Sequence, residues 1–319
     1  MIHVPGTDFD IRPLVLGANV FGWTADEASS FAVLDAFTDA GGSLIDTADG
    51  YSRWVPGHTG GESEVIIGRW LTHSGRRGDV QLATKVATHP EFPGLAPANI
   101  AAAADASLTR LGTDHIDLYY AHYDDDTQRI EDMAVAFDAL VTAGKVRYVA
   151  LSNFTVERER AWLDFARAEH LAVPVALQPH YNLLHRGDVE GGYGPLAREY
   201  HLAIFPYFSL AAGLLSGKYH SAADLEGQAR TAHMNRYLKD GTLTHQAFHV
   251  VDVAREVGDA HGVSVATVAL AWMLAKPEIT APIASARTTR QLIDLLAATE
   301  LTLADDEVAA LDTASAPFI

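Results

Sequence analysis

LIDTADGYS, residues 44–52, places an apolar start, two carboxylates and a phenol within nine residues. Three readings compete for Asp46 and Tyr51: a turn, a metal loop or a proton-transfer site. A calcium loop needs further oxygen ligands and a distal Glu at fixed spacing, and the following YSRWVPG does not supply them. No HExxH-type His pair marks a zinc site, and no metal is expected. The rest of the chain must choose between the turn and the proton-transfer site.

Outward from this stretch the sequence alternates short apolar, β-branched runs with longer segments of helical spacing. The runs are PLVLG (13–17), SLID (43–46), VQLATKV (80–86), IDLYYAH (116–122), VRYVALS (146–152), VPVALQ (173–178), LAIFPYF (202–208) and TAPIAS (280–285). Helical spacing lies near 25–40, 61–73, 97–111, 128–143, 155–169, 193–200, 246–261 and 288–298, with a further, largely buried helix at 262–276. Strands alternating with helices in this way predict parallel βαβ units closing into a single-domain α/β (β/α)8 TIM barrel over residues 1–319. An open doubly wound sheet is the alternative, but GANVFGW (17–23) lacks the Gly-x-Gly-x-x-Gly of such folds. Residues 219–245 have no clean periodicity and read as a loop at the barrel mouth, a candidate lid.

Composition narrows the function. The chain has 319 residues, 48% of them hydrophobic, and no cysteine, which rules out disulfides, thiolate nucleophiles and Cys–zinc sites. A formal charge of −18 argues against a nucleic-acid partner, and any anionic ligand must be met by a few local cations. The apolar run at 265–275 is too short to span a bilayer, and the N-terminus has no basic or apolar leader, so neither a membrane partner nor secretion is expected and a cytoplasmic location is.

In a (β/α)8 barrel the chemistry lies at the C-terminal ends of the strands. There the sequence places Asp46 and Tyr51, Lys85, His122 with Asp125 beyond it, Ser152 and Asn153, Gln178, Tyr207 and Ser209, and Ser285 and Arg287. A lysine held charged by a carboxylate is expected to lower a neighbouring phenol's pKa, and an imidazole can position a carbonyl oxygen. Asp46, Tyr51, Lys85 and His122 are thus machinery for protonating a carbonyl oxygen, provided something else supplies hydride.

These residues carry a resemblance to the aldo-keto reductase family that covers 14–298. LIDTADGYS resembles the family's strand-two signature, ATKV (83–86) its lysine segment and DLYYAHYDDD (117–126) its histidine segment. VALSNF (149–154), LQPHYNLL (177–184), PYFSLAAGLLSGKY (206–219) and IASARTTRQL (283–292) resemble its cofactor-binding stretches. The resemblance implies NADPH bound across the mouth, with Tyr51 as general acid, Lys85 tuning it, Asp46 orienting Lys85, and His122 positioning a small-molecule carbonyl substrate. It implies Ser152, Asn153 and Gln178 at the nicotinamide carboxamide and Tyr207 stacked on the ring. Leu210, Gly213 and Lys218 would line the pyrophosphate, and Ser285, Arg287 and Gln291 the adenosine end. Gly22, Trp23 and Asp46 are further expected cofactor contacts.

The sequence departs from the family pattern in two places. Phe208 stands where serine is usual, so that hydrogen bond is lost or is made by Ser209 from a shifted position. Asp294 and Leu295 replace a frequent Glu-Asn. Trp23 and Trp54, with Tyr51 and His122, are the substrate candidates. A nicotinamide-binding regulatory subunit of the potassium-channel β type is the competing reading, and a metal-dependent barrel isomerase or lyase a weaker one.

Overall fold

The computed structural model describes residues 1–227, 231–238 and 241–319. Eight strands form one parallel sheet: β1 (Val15–Gly17), β2 (Leu44–Asp46), β3 (Gln81–Val86), β4 (Ile116–Ala121), β5 (Val146–Leu151), β6 (Ala176–Leu177), β7 (Ala203–Ile204) and β8 (Ile283–Ala284). From β1 to β7 each strand pairs with its sequence neighbours, and β8 returns to pair with β1. Backbone bonds close the remaining seam: Ile283 N donates to Pro206 O at 2.9 Å and Thr280 N to Ile204 O at 3.0 Å. The result is the expected (β/α)8 barrel.

Residues two apart on a strand share a face. Val15, Leu44, Ala83, Leu118, Ala150, Ala176, Ala203 and Ile283 pack together inside the barrel, with Val4, Phe9 and Ile11 of an N-terminal hairpin. The intervening Leu16, Ile45, Leu82, Tyr119, Val149, Leu177 and Ile204 belong to the larger core beneath the helices. That inner period of two, carried one step further, reaches Asp46, Lys85, Ser152, Gln178 and Ser285; on β4 and β7 the same parity leads through Tyr120 to His122 and through Phe205 to Tyr207.

Helices α1 (Glu27–Asp39), α2 (Glu62–Ser74), α3 (Pro97–Leu111), α4 (Ile130–Thr142), α5 (Val156–Ala168) and α6 (Gly194–Tyr200) each follow the strand of the same number. Local chemistry sets their starts: Asp26 and Thr155 accept from backbone N–H groups in the first turns of α1 and α5, and Pro97 opens α3. After β7 come α7 (Gly241–His261) and α8 (Val265–Leu274), and after β8 come α9 (Thr289–Ala297) and α10 (Asp305–Ser315).

Three features differ from expectation. The sequence reading omitted α10, whose Glu307 carboxylate accepts from Ala304 N at 2.8 Å and whose Leu311 is fully buried. The stretch 219–245 is not one irregular loop: it holds short helical turns at Ala222–Leu225, Thr231–Met234 and Asn235–Tyr237, and α7 begins within it at Gly241. Residues 228–230 and 239–240 of that stretch lie outside the described residues. Tyr237 is buried and fastens the described part to the mouth: its hydroxyl lies 2.7 Å from His180 Nε2 and accepts from Asn182 Nδ2 at 3.2 Å. Two short hairpins, Ile2–His3 with Asp10–Ile11 and Thr88–His89 with Phe92–Pro93, were also not anticipated.

Candidate active site

The two carboxylates of LIDTADGYS have different fates. Asp46, inward at the end of β2, accepts from Lys85 Nζ at 2.6 Å and from Gln178 Nε2 at 2.9 Å. Asp49 turns away, accepting from Thr88 Oγ1 at 2.9 Å and Ala87 N at 3.3 Å, and so pins the loop to the segment after β3. The loop passes so close to Thr88 that a Cβ on Gly50 would meet Thr88 Oγ1 at 2.3 Å and its carbonyl oxygen at 2.9 Å, so only glycine fits there. This turn brings Tyr51 back over the barrel, where its hydroxyl accepts from Lys85 Nζ at 3.1 Å.

Lys85 is fully buried, and its third hydrogen bond goes to Thr47 O at 2.6 Å. An ammonium has three donors and no acceptor, so Asp46, Thr47 and Tyr51 together match the charged form. Burial raises the Asp46 carboxyl, with Lys85 and Gln178 opposing, and lowers the Lys85 ammonium, with Asp46 opposing.

The net shift of the phenol runs opposite to the lowering expected from Lys85. Tyr51 is pushed well above its ordinary value, first by burial and then by the charge of Asp46. The reason is local neutrality: the ammonium sits against a carboxylate, so the pair offers a phenolate little net positive charge while desolvation penalises it in full. His122 moves the other way. Burial, then the charges of Lys85 and Arg53, hold its imidazole well below the usual histidine value and hence neutral. Its ring centroid lies 6.1 Å from that of Tyr51, and its Nδ1 is buried with no protein partner among the described residues.

The residues expected at the carboxamide are hydrogen-bonded to one another and to their neighbours. Ser152 Oγ donates to Gln178 O at 2.8 Å, Asn153 Nδ2 donates to His122 O at 2.8 Å and to Ser152 Oγ at 3.0 Å, and Tyr207 donates to Asn153 Oδ1 at 2.8 Å. The protons of these side chains are occupied, which leaves acceptor lone pairs on Ser152 and Asn153. Gln178 is 3% exposed, and its amide nitrogen holds Asp46.

The loop after β7 is strained. Phe208, Ala211 and Ala212 have φ of 53°, 48° and 59°, followed by Gly213 at 110°, a run of left-handed conformations that non-glycine residues rarely adopt. Phe208 packs against Tyr207, with ring centroids 5.2 Å apart. Ser209 does not replace the missing serine: it is buried, and its hydroxyl bonds Ile283 O at 2.8 Å and Pro206 O at 3.1 Å across the barrel seam.

Lys218 and Arg287 are exposed and have no carboxylate partner among the described residues; Arg287 does not pair with Asp294. Gln291 Oε1 accepts from Arg287 N at 2.9 Å, and Leu295 is buried in α9. Ser285 donates to Asn19 Oδ1 at 2.5 Å. Asn19 was missed by the sequence reading, although the inward parity Val15, Gly17, Asn19 points to it. Gly22 (φ 74°) and the partly buried Trp23 lie on the loop after β1, and Trp23 meets Trp54 edge to face at 5.6 Å. Trp54 in turn faces Tyr51, with centroids 6.1 Å apart.

The sequence signature of the Aldo/keto reductase family matches residues 13–316. The chain is 35% identical over 312 residues to the oxidoreductase YrpG of Bacillus subtilis, covering 95% of this chain and 91% of that one. It is 32% identical to the aldo-keto reductase YhdN of the same organism, over 93% of this chain and 86% of YhdN. It is also 30% identical to a probable voltage-gated potassium channel subunit beta of Oryza sativa, over 91% and 88% of the two chains. Among the described residues no single helix is long and apolar enough to cross a membrane.

Proposed function

The chain belongs to the aldo/keto reductase family, a family of oxidoreductases, and we propose that it is an NADPH-dependent enzyme reducing an aldehyde or ketone to an alcohol, with Tyr51 as proton donor. The observation that carries this reading is the Lys85 Nζ–Tyr51 hydroxyl contact of 3.1 Å beside a neutral His122.

The residues present fit the cofactor. Acceptor lone pairs on Ser152 and Asn153 suit the NH2 of a carboxamide, Tyr207 offers a ring held in place through Asn153, and Lys218 and Arg287 are cations without a carboxylate partner among the described residues and are suited to phosphates. Ser285, with Asn19 as its partner, and Gln291 complete the adenosine end. When bound, the reduced nicotinamide supplies hydride to the carbonyl carbon.

This chain's residues do the rest. The raised phenol pKa keeps the Tyr51 proton on its oxygen at neutral pH, available to a carbonyl oxygen as negative charge develops there. Lys85 holds the phenol oxygen and, tied to Asp46, cannot swing away. His122, neutral, can hydrogen-bond the carbonyl without competing as a cation.

Purified protein should oxidise NADPH with a panel of aldehydes. Tyr51→Phe should lower that rate by about 10²- to 10⁴-fold with cofactor affinity little changed; an unaltered rate would remove Tyr51 from the role. The channel-subunit relative favours a second reading, a cofactor-binding regulatory protein. Binding of NADPH without turnover of any aldehyde would favour it.

A further inference from the structure

The chain has 41 acidic and 23 basic side chains. Most of its cations are claimed: ion pairs hold Arg12, Arg77, Arg110, Arg147, Arg186 and others to carboxylates. Of those left without a carboxylate among the described residues, Arg167 at the end of α5 donates to Tyr200 O at 3.2 Å and lies over that ring, and the others lie on segments that follow the C-terminal ends of strands. Lys218 and Arg236 lie on the segment after β7 and Arg287 and Arg290 after β8, where the proposed cofactor phosphates would lie. Arg53 is the exception. It sits on the loop after β2, two residues from Tyr51, away from that cofactor region.

Several carboxylates on the segments after β2 and β4 have other partners. Asp46 holds Lys85 and Gln178, Asp49 holds Thr88, and Asp124 pairs with Arg158. Glu62 accepts from the Thr59 and Gly60 backbone. The Arg53 charge is nevertheless felt inside the site, since it helps keep His122 unprotonated. Next to it in the chain is Trp54, 47% exposed, and the loop after β4 carries Tyr123, 50% exposed. Tyr123 packs on the His122 ring at 4.9 Å and Trp54 contacts Tyr51, so both flank the proposed reaction centre. Two exposed rings at the reaction centre, with a guanidinium on the same loop that has no carboxylate partner among the described residues, suit a flat apolar group with an anion at its edge. In a protein of formal charge −18 such a cation is needed for an anionic substrate to approach at all.

We infer that Arg53 determines substrate specificity by selecting carbonyl compounds that carry an anionic group on an aromatic or otherwise flat body, an inference that rests on the reductase reading above.

The test compares 4-carboxybenzaldehyde with its neutral counterpart methyl 4-formylbenzoate, which keeps the electron withdrawal of the para carbonyl and removes the charge. With the full chain and NADPH, kcat/KM should favour the carboxylate by about ten- to a hundredfold, the range of a charged hydrogen bond. Arg53→Gln should bring that ratio toward one, Arg53→Lys should keep part of it, and added salt should narrow it in the parent. Equal use of both aldehydes by the parent, or an undiminished ratio in Arg53→Gln, would overturn the inference. If neither aldehyde is turned over, the reductase reading fails. Affinities of the same two compounds, measured by tryptophan quenching in parent and Arg53→Gln, then decide the role of Arg53: a carboxylate preference lost in the variant supports it, and no preference rejects it.

Discussion

Gln178 Nε2 donates to Asp46 Oδ1 at 2.9 Å, joining the end of β6 to the end of β2 across the barrel mouth. The other oxygen of the same carboxylate takes Lys85 at 2.6 Å, so Asp46 is braced from two sides and the lysine is aimed at Tyr51.

That bracing predicts a stability pattern. Lys85→Met leaves a buried, unpaired carboxylate and should cost about 3–5 kcal/mol, as breaking one side of a buried ion pair does. Asp46→Asn in the same background removes the orphaned charge and should recover part of the loss. Urea unfolding of the two single variants and the double variant gives the coupling; simple additivity would mean that the pair is not mutually dependent.

The pH profile should follow the two displaced side chains. In the proposed mechanism reduction needs the proton on Tyr51, and burial pushes its pKa above the ordinary value near 10, while His122 stays neutral because its pKa is driven down. The rate of carbonyl reduction should therefore be nearly flat from about pH 6 to pH 9. A falling limb centred near pH 8 that vanishes in Tyr51→Phe would show the phenol ionising far below that value.

Under the proposed function, Arg287 would read the 2′-phosphate that distinguishes NADPH from NADH. Its side chain has no carboxylate partner among the described residues, and Gln291 holds its backbone N–H at 2.9 Å. Arg287→Ala should weaken NADPH binding by about ten- to a hundredfold and leave NADH nearly unchanged. Fluorescence titration of both cofactors checks this; equal weakening of the two would assign Arg287 to another part of the cofactor.

A buried group outside the site offers a stability test. Glu159 on α5 is 1% exposed, its Oε2 has no partner among the described residues, and burial raises its pKa well above the ordinary 4.5. Folded, it keeps its proton to higher pH than it does unfolded. Its contribution is therefore most favourable below the unfolded value and erodes as pH rises toward the folded one. Glu159→Gln should remove that slope and unfold at higher urea than the parent at pH 7.5, with the difference shrinking near pH 4.5. An identical slope in the variant would place the titration elsewhere.

The alternation of short apolar runs with helical spacing is a local property of the chain, and it was enough to predict the barrel and the residues at its strand ends. Once Leu44, Ala83, Leu118 and Ala150 are read as interior, the same parity along their strands leads to Asp46, Lys85, His122 and Ser152. It would also have led to Asn19, had β1 been followed past Gly17. Helix α10 was overlooked although its capping glutamate lies only three residues past Ala304.

What the tertiary structure decided were matters of partnership and solvation, which join residues far apart in the chain. Asp46 and Asp49 lie three residues apart in the same loop, yet one holds Lys85 and the other Thr88, because strand parity turns one inward and the turn at Gly50 carries the other away. Ser209 looked able to replace a missing serine until the barrel seam engaged its hydroxyl. The direction of the Tyr51 shift needed the depth of the site and the neutralising contact between Lys85 and Asp46. Desolvation and ion pairing depend on all the atoms within a few ångströms, and around Asp46 folding assembles those atoms from segments 132 residues apart.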